Sequence, residues 1–310
     1  MSTNFPFKHL SKEVQFGYSS EASAHLNAEL FSSADRLKWE HRQTEHRKEE
    51  FLISRSALAA ALNPLPLSAV YYNGNQPKHE AGHISISHTK SGAIAAYSAT
   101  VEVGIDIEGV RPQISRIAQK FIRADEEKYL ASLGATHAQQ LLWGIKESLF
   151  KLFGSGNVDF KKHLHITSLL PEIEGELWSG TAWIYATNEL HQQPIQCMVQ
   201  GYFDGSHYYC LATHRKAMVP FNTQNLQLRQ WTPNDAHWLF RLNQDPEVVK
   251  YTGDSGFSSE AKALELIQTY PNYQRDGYGR WMVIDLSSNT PLGWCGLKKN
   301  SWGIDLGFRF

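Results

Sequence analysis

Val101-Glu-Val-Gly-Ile-Asp-Ile-Glu108 reads as a strand, because Val103, Ile105 and Ile107 alternate with Gly104, Asp106 and Glu108. A period of two sends the first set to one face and the second set to the other. Two carboxylates then project side by side. At a rise of about 3.3 Å per residue their Cα atoms lie roughly 6 to 7 Å apart, a spacing from which both reach one hard cation. Gly104 is expected to leave open space beside them. Taken alone, an Asp-x-Glu pair on a strand is solvated surface more often than a metal site, so its neighbours in sequence have to decide.

Downstream, Leu141, Leu142, Ile145, Leu149, Leu152 and Phe153 recur at three- and four-residue intervals, which predicts a helix over 137–153 with an apolar stripe. In its segment Trp143-Gly-Ile-Lys-Glu-Ser-Leu-Phe-Lys151, Glu147 and Lys151 fall at i and i+4 on the face opposite that stripe. Gly154 and Gly156 close the helix. Upstream, His83-Ile-Ser-Ile-Ser-His-Thr89 predicts a strand ending in a polar corner, Ser87-His88-Thr89. A surface salt bridge explains the first of these strings and a backbone cap the second. Neither explains why all three occur together in this order.

Around this centre the pattern is α+β. Residues 21–62 read as mostly helical, with Arg47, Glu50 and Arg55 on a polar face, up to Asn63-Pro64. Short apolar runs at 69–72, 83–87, 93–97 and 101–107 read as strands of one antiparallel sheet, 117–133 as a helix, and 163–213 as strands again. The pattern lapses at 214–223, giving a first domain over 1–215, a linker over 216–223 and a second domain over 224–310. A length of 310 residues agrees with two domains.

With 30 basic against 31 acidic side chains, the balance excludes a dedicated nucleic-acid binder. No apolar run is long enough to span a bilayer. Cys197, Cys210 and Cys295 are widely spaced, so neither a disulfide framework nor a thiolate zinc site is expected, and a reducing cytoplasm fits best. His79, His83 and His88 invite a zinc reading, but their spacing matches no tetrahedral motif.

Ser85-Ile-Ser-His-Thr, Gly104-Ile-Asp-Ile-Glu and the Trp143–Lys151 string together resemble the three signature motifs of the 4'-phosphopantetheinyl transferase superfamily, in its surfactin-synthetase-activating type. The resemblance implies a pseudo-dimeric fold of two similar α+β halves in one chain, which suits this length better than the short trimeric form and makes a monomer the simplest expectation. It implies that Asp106, Glu108 and Glu147 hold Mg2+, and that coenzyme A and an apo acyl or peptidyl carrier protein are the substrates. Glu147 and Lys151 would be catalytic. Ser87, His88, Lys146 and Lys151 would contact coenzyme A, with Arg36, Arg47 and Arg55 adding to its phosphate pocket. Relatives commonly carry Gly-Lys-Pro where this chain has Gly74-Asn-Gln-Pro-Lys, so Gln76 replaces an expected lysine and Lys78 stands nearby.

Leu226-Gln-Leu-Arg-Gln-Trp-Thr-Pro-Asn-Asp-Ala, Gly293-Trp-Cys-Gly-Leu and Asp305-Leu-Gly-Phe-Arg resemble the N-terminal half of a GNAT-superfamily N-acetyltransferase, a partial α/β segment. The sequence stops before the loop that binds the acetyl-CoA pyrophosphate in that family, so no acetyltransferase activity is expected of it. Two other readings fit parts of the chain: a carrier-binding pseudoenzyme, against which the intact acids and Lys151 count, and an acetyltransferase with an accessory N-terminal domain.

Overall fold

The computed structural model describes residues 13–21, 26, 28–154, 156–173, 176–187, 193–216, 220–250 and 256–310. It divides into two compact units, Met1–His214 and Arg215–Phe310. Among the described residues no helix is long and apolar enough to cross a membrane.

The first unit holds two runs, each of which opens on a strand, passes through helices and ends on antiparallel strands. Strand β1 (Gln15–Ser19) is followed by helices α1 (Ser33–Glu40) and α2 (Glu45–Leu62), the hairpin β2 (Val70–Asn73) and β3 (Gln76–His79), and strands β4 (His83–Thr89) and β5 (Gly92–Ser98). Strand β6 (Glu102–Gly109) is followed by short helices α3 (Ala118–Phe121) and α4 (Lys128–Leu133) and the long α5 (Ala135–Phe153). After α6 (Phe160–His163) come β7 (Leu164–Ile173), β8 (Leu177–Ile184), β9 (Ile195–Phe203) and β10 (His207–His214). In both runs the last strand turns back to pair antiparallel with the first, giving sheet orders β1-β5-β4 and β6-β10-β9-β8-β7.

The runs read as one antiparallel sheet from sequence are therefore split. β2 and β3 pair only with each other, β4 and β5 join β1, and β6 opens the second sheet. A side chain bridges the gap between the sheets: the backbone N–H of Ile105 on β6 donates to Ser85 Oγ on β4 at 3.0 Å. This satisfies a buried donor that would otherwise lack a partner.

Each sheet is covered by its long helix. Phe51, Ala57, Leu58, Ala61 and Leu62 of α2 bury against Ala93, Ala95 and Tyr97 of β5. Leu141, Leu142, Ile145, Leu149 and Leu152 of α5 bury against Val199, Cys210 and Ala212. Gly104 does not leave open space, because α5 fills it: a Cβ there would lie 1.9 Å from the Ser148 carbonyl oxygen and 2.6 Å from Leu152 N. Gly17 meets α2 in the same manner, 2.0 Å from the Ala57 oxygen and 2.6 Å from Ala61 N.

The predicted helix over 117–133 is broken into α3, a 3-10 turn at Ala124–Glu126, and α4. Buried polar chemistry explains the break. Glu126 Oε2 accepts from Arg123 N at 3.0 Å, and the Phe121 carbonyl, released from helical bonding, accepts from Lys146 Nζ at 2.6 Å.

In the second unit β11 (Phe221–Asn222), β12 (Leu226–Arg229), β13 (Arg280–Asp285), β14 (Thr290–Asn300) and β15 (Gly303–Arg309) form one antiparallel sheet in that order. Part of the segment read as a linker is thus strand β11. Helices α7 (Ala236–Leu242), α8 (Pro246–Val249), α9 (Glu260–Thr269) and α10 (Asn272–Asp276) lie between β12 and β13 in the chain. Helices α9 and α10 are divided at Tyr270-Pro271, where the proline ring disfavours helical dihedrals in the residue before it. Asp235 accepts both Arg229 bonds at 2.7 Å and also caps Thr232 N, pinning the start of α7 to β12.

Candidate active site

Strand β6 is buried on both faces, with Val103, Ile105 and Ile107 in the core and Asp106 and Glu108 turned toward α5. Only 3% of Asp106 and 8% of Glu108 is exposed, so neither acid is solvated surface. Such carboxylates require partners. Asp106 Oδ1 accepts from Lys151 Nζ at 2.6 Å and from Ser87 Oγ at 2.8 Å, and Lys151 Nζ also donates to Ser87 Oγ at 2.7 Å. Glu108 meets Arg111 Nη2 at 2.6 Å and accepts from Trp143 Nε1 at 3.3 Å.

Glu147 projects from α5 toward the same two acids. Its pKa is pushed up to about 7, by burial first and then by Asp106 and Glu108, with Lys151 and Arg111 opposing. Glu108 is raised as well, by burial and then by Asp106. The strand-and-helix construction thus brings three carboxyl groups into one electrostatic cluster with Lys151 on its rim. Gly144 lets α5 come close, since a Cβ there would stand 2.7 Å from Cys210 Sγ and 3.7 Å from Asp106 Oδ2.

Residues 102–195 match the family model of the 4'-phosphopantetheinyl transferase superfamily. The match covers β6, α5 and both groups of acids. A 4'-phosphopantetheinyl transferase of Bacillus pumilus is 36% identical over 77 residues, which are 24% of this chain and 33% of that relative, so the chain matches about a third of the relative's length. Residues 225–310 match the model of the acetyltransferase (GNAT) domain, coinciding with the sheet of the second unit.

The other residues expected from the 4'-phosphopantetheinyl transferase resemblance divide into two groups. Ser87 belongs to the cluster through its bonds to Asp106 and Lys151. His88 is exposed near the end of β4, and its pKa lies below the ordinary imidazole value through partial burial, with Lys151, Arg42 and Arg55 lowering it further and Glu50 opposing. Arg36 on α1 and Arg47 in the first turn of α2 are exposed.

Lys146 and Arg55 do not fit the expectation. Lys146 is fully buried and turns away from the acids, its ammonium held by Glu126 Oε2 at 2.7 Å and by the carbonyls of Phe121 and Phe160 at 2.6 and 3.2 Å. With three acceptors in the core it has no route to a substrate phosphate. Arg55 forms a buried bidentate pair with Asp35, at 2.7 Å from Nε and 2.6 Å from Nη2, and bonds the Tyr72 hydroxyl. Both cations are thus placed in buried ion pairs with acids of the fold.

Four residues make contacts that the sequence reading did not assign to them. Arg111 neutralises Glu108, Trp143 orients it, and Ser85 joins the sheets. Gln76 donates to the Lys151 carbonyl at 2.8 Å, tying the β2–β3 hairpin to the end of α5. Only Arg111 carried a local signal, lying three residues after Glu108. Beside Lys151 a cavity of about 510 Å³ is lined by Asn73, Gln76, Pro77, Ser85, Ile86 and Phe150.

The zinc reading is not supported among the described residues, since His79 uses one ring nitrogen on the Pro66 carbonyl and the other on Ala81 N. All three cysteines are free thiols.

Proposed function

We propose that the first unit transfers the 4'-phosphopantetheine arm of coenzyme A to a serine of an apo acyl or peptidyl carrier protein, in a reaction that requires Mg2+. The observation that carries this reading is the meeting of Asp106, Glu108 and Glu147 beside Lys151, within the segment that matches the 4'-phosphopantetheinyl transferase superfamily. The repeated element order, with Gly17 against α2 and Gly104 against α5, supports reading the unit as two related halves.

The donor set suits Mg2+. It consists of hard carboxylate oxygens, Asp106 Oδ2 is buried without a hydrogen-bond partner, and Glu147 and Glu108 are held above their ordinary pKa by burial first and then by the neighbouring Asp106, a repulsion that a cation would relieve. Among the described residues no three such side chains stand close enough to hold a metal as placed, and Lys151 and Arg111 neutralise two of the acids. Asp106, Glu108 and Glu147 would therefore have to draw together around the ion. When bound, Mg2+ would neutralise charge on the coenzyme A pyrophosphate.

The chain's own groups supply the rest. Glu147, with a pKa of about 7, is poised to take the proton from the carrier serine hydroxyl. The serine oxygen then bonds to the β-phosphorus, the bond from that phosphorus to the 3',5'-ADP oxygen breaks, and Lys151 stabilises the leaving oxygen. Ser87 holds Lys151 in line, while His88, Arg36 and Arg47 face the nucleotide's phosphates. The cavity beside Lys151 takes part of the coenzyme A body.

The test is mass spectrometry of an apo carrier protein incubated with this chain, coenzyme A and Mg2+. The expected result is a gain of one phosphopantetheine arm, absent with chelator or with Asp106→Ala. A carrier bound tightly yet left unmodified would overturn the transferase reading in favour of a carrier-binding protein.

A further inference from the structure

Lys151 lies in the last turn of α5, just before the helix closes at Gly154. The final carbonyls of a helix have no partner within it and take one from elsewhere. The Lys151 carbonyl accepts from Gln76 Nε2 at 2.8 Å, across 75 residues of chain. Gly154 makes room for this bond: its φ is 89°, and a Cβ there would stand 2.2 Å from Gln76 Oε1 and 2.6 Å from Cδ. One end of the carboxamide thus bonds the last turn, and the other rests on the glycine that ends it.

The hairpin that presents Gln76 is itself held on both strands. On β2 the Tyr72 hydroxyl, opposite Pro77, donates to Asp35 Oδ1 at 2.6 Å and accepts from Arg55, so it is tied to their buried ion pair. At the end of β3, His79 uses both ring nitrogens, on the Pro66 carbonyl at 3.0 Å and on Ala81 N at 3.1 Å. Gln76 therefore acts from a fixed support. On the far side of the contact, Lys151 Nζ is shared between Asp106 Oδ1 and Ser87 Oγ, at 2.6 and 2.7 Å. A lysine ammonium rides on a flexible four-carbon stem, so holding it on two acceptors requires that its backbone be held as well.

We propose that Gln76 is a positioning residue, which caps the Lys151 carbonyl from the β2–β3 hairpin and so places the Lys151 ammonium for transfer. Its effect on rate rests on the transferase reading, whereas its effect on Lys151 rests on the geometry alone. Without the bond the last turn of α5 is free to shift, and the ammonium spends less time on Asp106 and Ser87. The leaving oxygen then loses part of its stabilisation. Gln76 acts through Lys151 and not on the substrate.

Gln76→Met tests this, because it keeps the length of the side chain and removes the donor. Gln76→Asn keeps the donor on a stem too short to reach, and both variants of the full chain are verified as folded by circular dichroism. In chelator, acylation of Lys151 by an amine-reactive ester is followed by peptide mass spectrometry, with the exposed Lys162 as reference. Both variants should acylate Lys151 about threefold faster or more, and Lys162 at the parent's rate. With coenzyme A, Mg2+ and an apo carrier protein, kcat should fall about tenfold while KM for coenzyme A stays within about twofold. An unchanged acylation rate at Lys151 in the folded variants would overturn the proposal. So would a raised KM with kcat intact, which would make Gln76 a direct contact of coenzyme A. A parent chain that modifies no carrier would sink the transferase reading, and acylation would still decide whether Gln76 places Lys151.

Discussion

The two runs of the first unit solve the same packing problem and differ in what they add to it. In each, a strand glycine lets a helix settle onto the sheet, Gly17 on Ala57 and Ala61 and Gly104 on Ser148 and Leu152. Two residues before the contacted carbonyl, each helix carries a buried cation paired with a buried acid 20 residues earlier, Arg55 with Asp35 and Lys146 with Glu126. The carboxyl cluster with its lysine stands in the second run alone among the described residues. Counting from the glycines, Asp106 corresponds to Ser19, and counting along the helices, Glu147 and Lys151 correspond to Ser56 and Ala60. The buried ion pairs are thus common to both runs, and the acids with Lys151 are not.

The sharpest way to break this comparison is to unpair the framework cations. Asp35→Ala and Glu126→Ala each strand a buried positive charge and should cost about 3–5 kcal/mol in urea unfolding. If Glu126→Ala left stability intact and removed activity alone, Lys146 would have to be returned to the substrate side.

Next in size is the contrast between the acids and their counterpart. Asp106→Ala should lower carrier modification by about 10²–10³-fold, equivalent to roughly 3–4 kcal/mol, while Ser19→Ala should leave the rate within about threefold. Initial rates by mass spectrometry decide it.

The glycine contacts come third. Gly17→Ala and Gly104→Ala push a methyl group into helix backbone and should each destabilise by about 1–3 kcal/mol. Gly104→Ala should also reduce the rate, because it displaces α5 and Glu147 with it. Gly17→Ala has no such site to disturb.

The smallest effect concerns pH. Glu147 keeps its proton up to about 7 in the folded chain, against an ordinary value of 4.5. Between these values the folded state binds more protons than the unfolded one, so this contribution to stability falls as pH rises through that window. In chelator at pH 8, Glu147→Gln should thus stabilise the chain by about 1 kcal/mol after allowance for solvent screening, seen as a higher melting temperature. Transfer moves with the opposite sign. With Mg2+ beside it Glu147 loses its proton at lower pH than in the metal-free chain, so the rate of the parent should fall only as pH drops to a point below about 7, and the variant should be nearly inactive.

Some elements were legible because their causes are local. The α5 stripe, its stop at Gly154 and strand β9 at Ile195–Phe203 follow from hydrophobic period and from glycine's tolerance of the positive φ found at Gly154. Strand β1 carried no signal strong enough to separate it from its surroundings, and the α3–α4 break depends on Lys146, which lies 20 residues beyond Glu126 in the chain. In the site, the order of Ser87, Asp106, Glu108, Glu147 and Lys151 marked side chains that the fold brings together. Type and spacing could not tell Lys146 from Lys151, although one is fully buried and the other sits 2.6 Å from Asp106.

By itself, the sequence determined the course of α5, the alternation along β4 and β6, and which residue types could bind a cation or move a proton. Period, capping and propensity act over a few residues and leave their mark in order along the chain. Only the tertiary structure decided which cations serve the frame, that Gly104 is filled by α5, and that Glu147 is held near neutrality by Asp106 and Glu108. These outcomes depend on burial, the largest cause of the raised Glu147 pKa, and on distances between groups remote in sequence, and both are set only when the sheets and helices close on one another.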